Sequence, residues 1–125
     1  MTQNDLPNLR RLAAKNQIVY SGHAIKKMLE RGISRSDVIN VLTSPTNQLI
    51  EVQPPSNTPG KEHKDERDLI SDPEYEDDII VVLAISLRPV TNIPEIVIVT
   101  AEHAKDGDWS THDGKDPWLI RNKPK

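Results

Sequence analysis

The feature that most constrains this chain is a run of seven apolar residues, IIVVLAI, at 79–85. A membrane-spanning helix needs about twenty apolar residues, so the run cannot cross a bilayer. Its length and its β-branched content fit a strand, and since neither alternating set is polar, both faces of that strand are buried. The run therefore marks the centre of a sheet that needs a cover on each side. Less cleanly alternating patterns predict flanking strands over 47–52, 67–71 and 95–101, with the central one extending over 78–87. One layer of helices covers one face. The first helix, the Trp-bearing tail or another subunit is left to cover the other.

Upstream of Pro45 the apolar period is helical. Over 6–15, Leu6, Leu9, Leu12 and Ala13 form a narrow stripe, with Asn4 or Asp5 as cap and Pro7 in the first turn, where a missing N–H costs least. Residues 18–20 form a short strand or an extended lead-in. In SGHAIKKMLERG, Ser21 caps a helix and Gly32 stands where a left-handed terminating residue belongs. Spacing puts Ala24, Ile25, Met28 and Leu29 on its core face and His23, Lys26, Lys27, Glu30 and Arg31 on the other. Ser34 and Asp37 make a loose capping box for a third helix, which buries Val38, Ile39, Val41 and Leu42 and stops before Pro45. The second and third helices are expected to pair as a tight αα-hairpin. The resulting expectation is one α+β domain over 1–125, with two or three N-terminal helices packed on a four-stranded antiparallel sheet.

The polar segment PPSNTPGKEHKDE, 54–66, cannot make a core and reads as a mobile excursion. The stretch 105–117 is Asp- and Gly-rich around Trp109, and Trp118, Leu119 and Ile120 follow. With two Trp, two Tyr and no Phe in 125 residues, at least one indole is expected to lie against the domain. The chain has no cysteine and shows no basic-then-apolar leader, which points to a reducing cytoplasmic setting. Its formal charge of −3 gives no overall field to gather a polyanion, so any nucleic-acid site must be local. The basic residues do concentrate in the N-terminal third.

The run YSGHAIKKMLERGISRSDVINVL, followed by SP and then by strands ending in VIVT, resembles a bacterial family catalogued as a domain of unknown function (number 4258). Its members read S-G-H-A-x-x-R-M-x-x-R-G-I, and it is grouped with RelE- and ParE-like toxins and small ribonucleases. The resemblance covers 18–101, leaving 1–17 as an extra N-terminal helix and 102–125 as a tail. It implies a RelE-like fold, a toxin-like or ribonuclease activity and a cognate antitoxin or other protein as partner. His23 and Arg31 match the signature, whereas the family's first arginine is Lys27 here. That change matters because guanidinium grips phosphate in a bidentate way that ammonium cannot.

The same residues make chemical sense on their own. Metal-independent RNA cleavage needs a base for the 2′-hydroxyl proton, an acid for the leaving oxygen and cations for the charged phosphorane. His23 suits the first role, and Lys27, one turn on, and Arg31 supply charge. Arg67, Glu102 and His103 are supporting candidates, while His63 reads as a loop residue. The four histidines lack metal-ligand spacing, and the chain has no Gly-rich phosphate loop, no G-x-S-x-G elbow and no nucleophilic cysteine. No cofactor and no metal are expected. The ribonuclease reading implies RNA held in a local basic groove. The alternative is a non-catalytic domain that binds another protein or a second copy of itself.

Overall fold

The computed structural model describes residues 1–105, 108–112 and 117–122. Part of the Asp- and Gly-rich stretch, 106–107 and 113–116, lies outside the described residues.

A short 3-10 turn, Gln3–Asp5, leads into α1, Leu6–Ala14. Asp5 does not cap α1 through its side chain: the carboxylate accepts from the Thr2 backbone N–H at 2.8 Å. Helix α2, Gly22–Arg31, starts as its sequence predicts, with the Ala24 N–H donating to Ser21 Oγ at 3.0 Å, and ends at Gly32 with φ 67°. Helix α3, Arg35–Thr43, carries the expected reciprocal box, Ser34 N–H to Asp37 Oδ2 at 2.7 Å and Asp37 N–H to Ser34 Oγ at 3.0 Å.

The strands are β1 Ile18–Tyr20, β2 Gln48–Gln53, β3 Arg67–Ser71, β4 Ile79–Leu87 and β5 Pro94–His103. They form one five-stranded mixed sheet in the order β1-β5-β4-β3-β2. This corrects the expected four-stranded antiparallel sheet. Residues 18–20 pair parallel to β5, Ile18 opposite Ile96 and Tyr20 opposite Ile98, and the remaining pairs are antiparallel. Of the two readings of 18–20, a short strand or an extended lead-in, the strand holds, and the long-range bond from Ile96 N–H to the Gln17 carbonyl at 2.8 Å extends its pairing with β5.

Strand β4 is central and buried on both faces. Ile79, Val81 and Leu83 join Leu9, Val38, Leu42, Ile96 and Ile98 in the core beneath the helices. Ile80 and Val82 face the other way, where they meet Ile50, Leu69, Trp109, Trp118 and Leu119. The second cover is the tail: β6, Trp109–Thr111, and β7, Leu119–Arg121, pair as a small antiparallel hairpin over that face. Both indoles lie against the domain, Trp109 7% and Trp118 8% exposed. The Trp118 backbone N–H also donates to Gln48 Oε1 at 2.8 Å, tying the hairpin to β2.

Two expectations for the helices fail. Helix α3 packs mainly on α1 while α2 lies on β5, so the two are neighbours in sequence without forming a packed hairpin. Helix α2 is also rotated from its predicted orientation: Ala24 and Met28 are buried, but Ile25 is 46% and Leu29 83% exposed. The rotation turns Arg31 toward the sheet, where its donors satisfy β5. Hydrogen bonding of one guanidinium outweighs burial of one leucine at this edge. Among the described residues, no helix is long and apolar enough to cross a membrane.

Trp118→Ala is expected to lower unfolding free energy by about 3 kcal/mol, the usual loss for a buried Trp truncation. Urea denaturation followed by far-UV circular dichroism measures it. An unchanged midpoint would mean that the hairpin is an appendage and that β4 does not depend on it.

Candidate functional site

The second face of the sheet is not covered completely. Beside the hairpin lies a cleft of about 650 Å³, and six elements line it: Ser21 and His23 at the start of α2, Arg67 on β3, Val82 on β4, Thr100 and Glu102 on β5, Gln53 at the end of β2 and Arg121 on β7. An imidazole, a carboxylate and two guanidiniums thus share one concavity. A second cleft of about 880 Å³, under the 54–63 loop, shares Gln53, Arg67 and Arg121 with it and adds Lys61 and His63. The loop is held in a narrow form by an antiparallel bridge between Ser56 and His63.

Local structure explains how His23 reaches this cleft. Strand β1 runs along β5 and ends at Tyr20, and the Ser21 N–H donates to the Ile98 carbonyl at 3.2 Å. Ser21 Oγ then does two jobs, accepting from Ala24 N–H to start α2 and donating to the Val99 carbonyl at 3.3 Å. Opposite, the β4–β5 register slips between Val82 and Leu83: Thr100 faces Val82, Ile98 faces Leu83, and Val99 is left over. Such a bulge re-aims side chains, and Val99 and Thr100 both line the cleft. Glu102, opposite Ile80, follows on the same face.

The two arginines differ. Arg121 makes a bidentate pair with Glu51, Nε to Oε1 and Nη2 to Oε2, both 2.8 Å, and stacks 4.5 Å from the Trp109 ring. Burial pushes the Glu51 carboxyl up, but the Arg121 and Gln53 hydrogen bonds outweigh it and hold Glu51 below its ordinary range. Arg121 is therefore fixed and largely neutralised. Arg67, half-buried, has no ion-pair partner among the described residues. It is the guanidinium left to meet an incoming anion.

Of the six residues singled out from sequence, the cleft collects His23, Arg67 and Glu102. Lys27 does not line it; its ammonium pairs with Glu30 at 3.3 Å on the surface, a contact of little energetic weight. Arg31 is an anchor, its Nη1 donating to the Ala101 carbonyl at 2.9 Å and to Thr100 Oγ1 at 3.1 Å. It touches the cleft only through Thr100. His103 lies apart, with Nδ1 3.0 Å from the Asp77 carbonyl and Nε2 3.0 Å from the Arg31 carbonyl. Arg121, Thr100, Ser21 and Gln53 are cleft residues that sequence reasoning missed. Only Thr100 carried a signal, standing two residues before Glu102 in a strand.

Two carbonyls facing the two nitrogens of one ring require two N–H donors, which only the imidazolium supplies. Those bonds, from Asp77 and Arg31, raise the His103 pKa above its ordinary value. A raised folded-state pKa gives stability that is fully present below the unfolded value, about 6.5, and is lost as pH climbs through the folded one. Urea midpoints of wild type and His103→Leu are therefore expected to differ most near pH ~6 and to converge above the raised pKa. A difference that grows with pH would refute the imidazolium assignment.

Neither a curated protein nor a solved structure matches the chain. A family model does, and its match begins at Tyr20 beside the capping serine and ends at His103. It takes in His23, Arg67 and Glu102, and leaves out the Arg121 hairpin. With residues 20–103, more than half of the 125, matched to the family described as Domain of unknown function (DUF4258), the chain belongs to that family.

Proposed function

We propose that the protein is a toxin-like, metal-independent endoribonuclease whose centre is His23, Glu102 and Arg67. The observation that carries this reading is the cleft shared by an imidazole, a carboxylate and an unpaired guanidinium, each from a different element. Those are the groups that transphosphorylation of RNA needs. Glu102 takes the proton of the 2′-hydroxyl, whose oxygen attacks the adjacent phosphorus. The His23 ring gives a proton to the departing 5′-oxygen, leaving a 2′,3′-cyclic phosphate. Arg67 donates to the non-bridging oxygens, which gain charge in the phosphorane. His23 thus serves as acid, with the carboxylate in the role of base that sequence reasoning gave to the ring. On this reading the protein is a small cytoplasmic relative of RelE- and ParE-like toxins, held in check by an antitoxin.

A protein-binding role has an observation of its own. Ile25 and Leu29, one turn apart on α2, are 46% and 83% exposed. Such an apolar pair suits a cognate antitoxin or another protein, and is compatible with catalysis in the cleft. The Trp hairpin packs on the apolar second face of the sheet, so the exposed pair on α2 is the surface that supports this reading.

Purified protein in EDTA is expected to cleave single-stranded RNA to cyclic-phosphate ends. His23→Ala, Glu102→Gln and Arg67→Ala should each slow cleavage by roughly 100-fold or more, while Lys27→Ala leaves it within about twofold. Circular dichroism confirms folding of each variant. Absence of cleavage in the parent, or full activity in His23→Ala, ends the proposal.

A further inference from the structure

A second site, unrelated to the His23 cleft, lies on the helix-covered side of the sheet. There a cleft of about 620 Å³ runs between α1 and the sheet, with Leu9, Leu12, Ile85 and Pro94 as apolar lining and Asp68 of β3 among its polar residues. Asp68 is 2% exposed, and its Oδ1 has no hydrogen-bond partner among the described residues. A carboxyl oxygen buried without a partner is costly unless something meets it.

The charges around it are specific. The Met1 ammonium lies 2.6 Å from Glu66 and 3.9 Å from Asp68, so two carboxyls face one ammonium. Asp5 and Asp65 complete the acidic lining, and Arg11 and Lys15 also border the cleft. Arg11 is turned to Asn8, its Nη1 donating to Oδ1 at 2.8 Å. Burial first, and then a hydrogen bond to the neighbouring Glu66 and its charge, push the Asp68 carboxyl up to about 7, against the pull of the Met1 ammonium. A carboxyl that keeps its proton because it is buried beside a second carboxyl gives it up when a cation arrives. The apolar lining asks that this cation carry a hydrocarbon body.

We propose that this cleft binds a primary ammonium on a short aliphatic chain, the nitrogen held by Asp68 and Glu66 and the chain lying along Leu9, Leu12 and Ile85. Binding displaces the Asp68 proton, so affinity rises with pH through the neutral range. A free alkylamine and a lysine side chain share this chemistry, and a titration distinguishes them.

Calorimetry on the full chain at pH 7, in two buffers of different ionisation enthalpy, supplies the test with n-hexylammonium, Nα-acetyl-lysine amide and 1-hexanol as probes. At least one ammonium probe is expected to bind tenfold or more tighter than hexanol, with release of about half a proton. Tighter binding of hexylammonium identifies a free amine as the ligand class; the reverse order identifies a lysine side chain. Asp68→Asn should bring ammonium binding down to the hexanol level. Equal binding of hexanol and both ammonium probes, no binding by either, or no proton released, overturns the proposal. These wild-type comparisons hold even if the Asn variant folds poorly. RNA cleavage is untouched by any of them, so this result and that of the His23 cleft stand apart.

Discussion

Everything in this structure answers to the burial of β4 on both sides. Its residues from Ile79 to Ala84 are all buried, the alternate members going to opposite cores. A strand of this kind is stable only if each face is roofed, and the three helices form one layer. The tail provides the other with two indoles and a leucine, which bring large apolar area on few residues. A two-strand hairpin is too small to roof the whole face of a five-stranded sheet. What it leaves open, between itself and the start of α2, is the cleft. The candidate site is thus the remainder of a covering problem, and its second wall is the cover itself.

The run SGHAIKKMLERGI is mostly architectural when each residue is followed to its partners. Ser21 joins helix start to β5 bulge, Gly32 accepts the left-handed turn, and Arg31 pins the last turn of α2 to Ala101 and Thr100. His103 closes the same corner by bridging the Arg31 and Asp77 carbonyls. Each of these groups is consumed by the fold. His23 is different: it is exposed, lines a cleft, and its ring makes no hydrogen bond among the described residues. A polar residue that the architecture does not use is a better functional candidate than one it does.

That distinction marks what could be read from the sequence. Caps, breakers and the apolar run depend on neighbours within a few residues, and α2, α3, β3 and β4 fell within about a residue of their expected bounds. The four antiparallel strands β2 to β5 followed from the same local signals. The parallel pairing of β1 did not, because its partner Ile96 is 78 residues away and three residues hold too little pattern to choose between a strand and an extended lead-in. The rotation of α2 was hidden for a related reason: helical spacing identifies an arc, but which edge of the arc meets the sheet depends on what Arg31 finds there. Arg121 was wholly illegible. It enters the cleft only because Trp109 and Trp118 fold the tail back across β2 and Glu51. His23, Arg67 and Glu102 were nameable one by one; their meeting was a property of the bulge and the sheet order.

A charge of −3 gives no field that gathers a nucleic acid, so on the ribonuclease reading the cleft has to work without one. Arg121 is matched by Glu51, so Arg67 is the cation there without a partner among the described residues. One guanidinium cannot hold a polyanion by counterion release, which scales with the number of phosphates engaged. It can hold a single phosphate in a fixed orientation, and its hydrogen bonds strengthen as the non-bridging oxygens gain charge. Interactions that grow toward the transition state favour turnover over ground-state binding. On the ribonuclease reading, weak affinity for RNA at an acidic surface is therefore the expected companion of catalysis, with Lys61 in the lining of the adjoining cleft as a further cation.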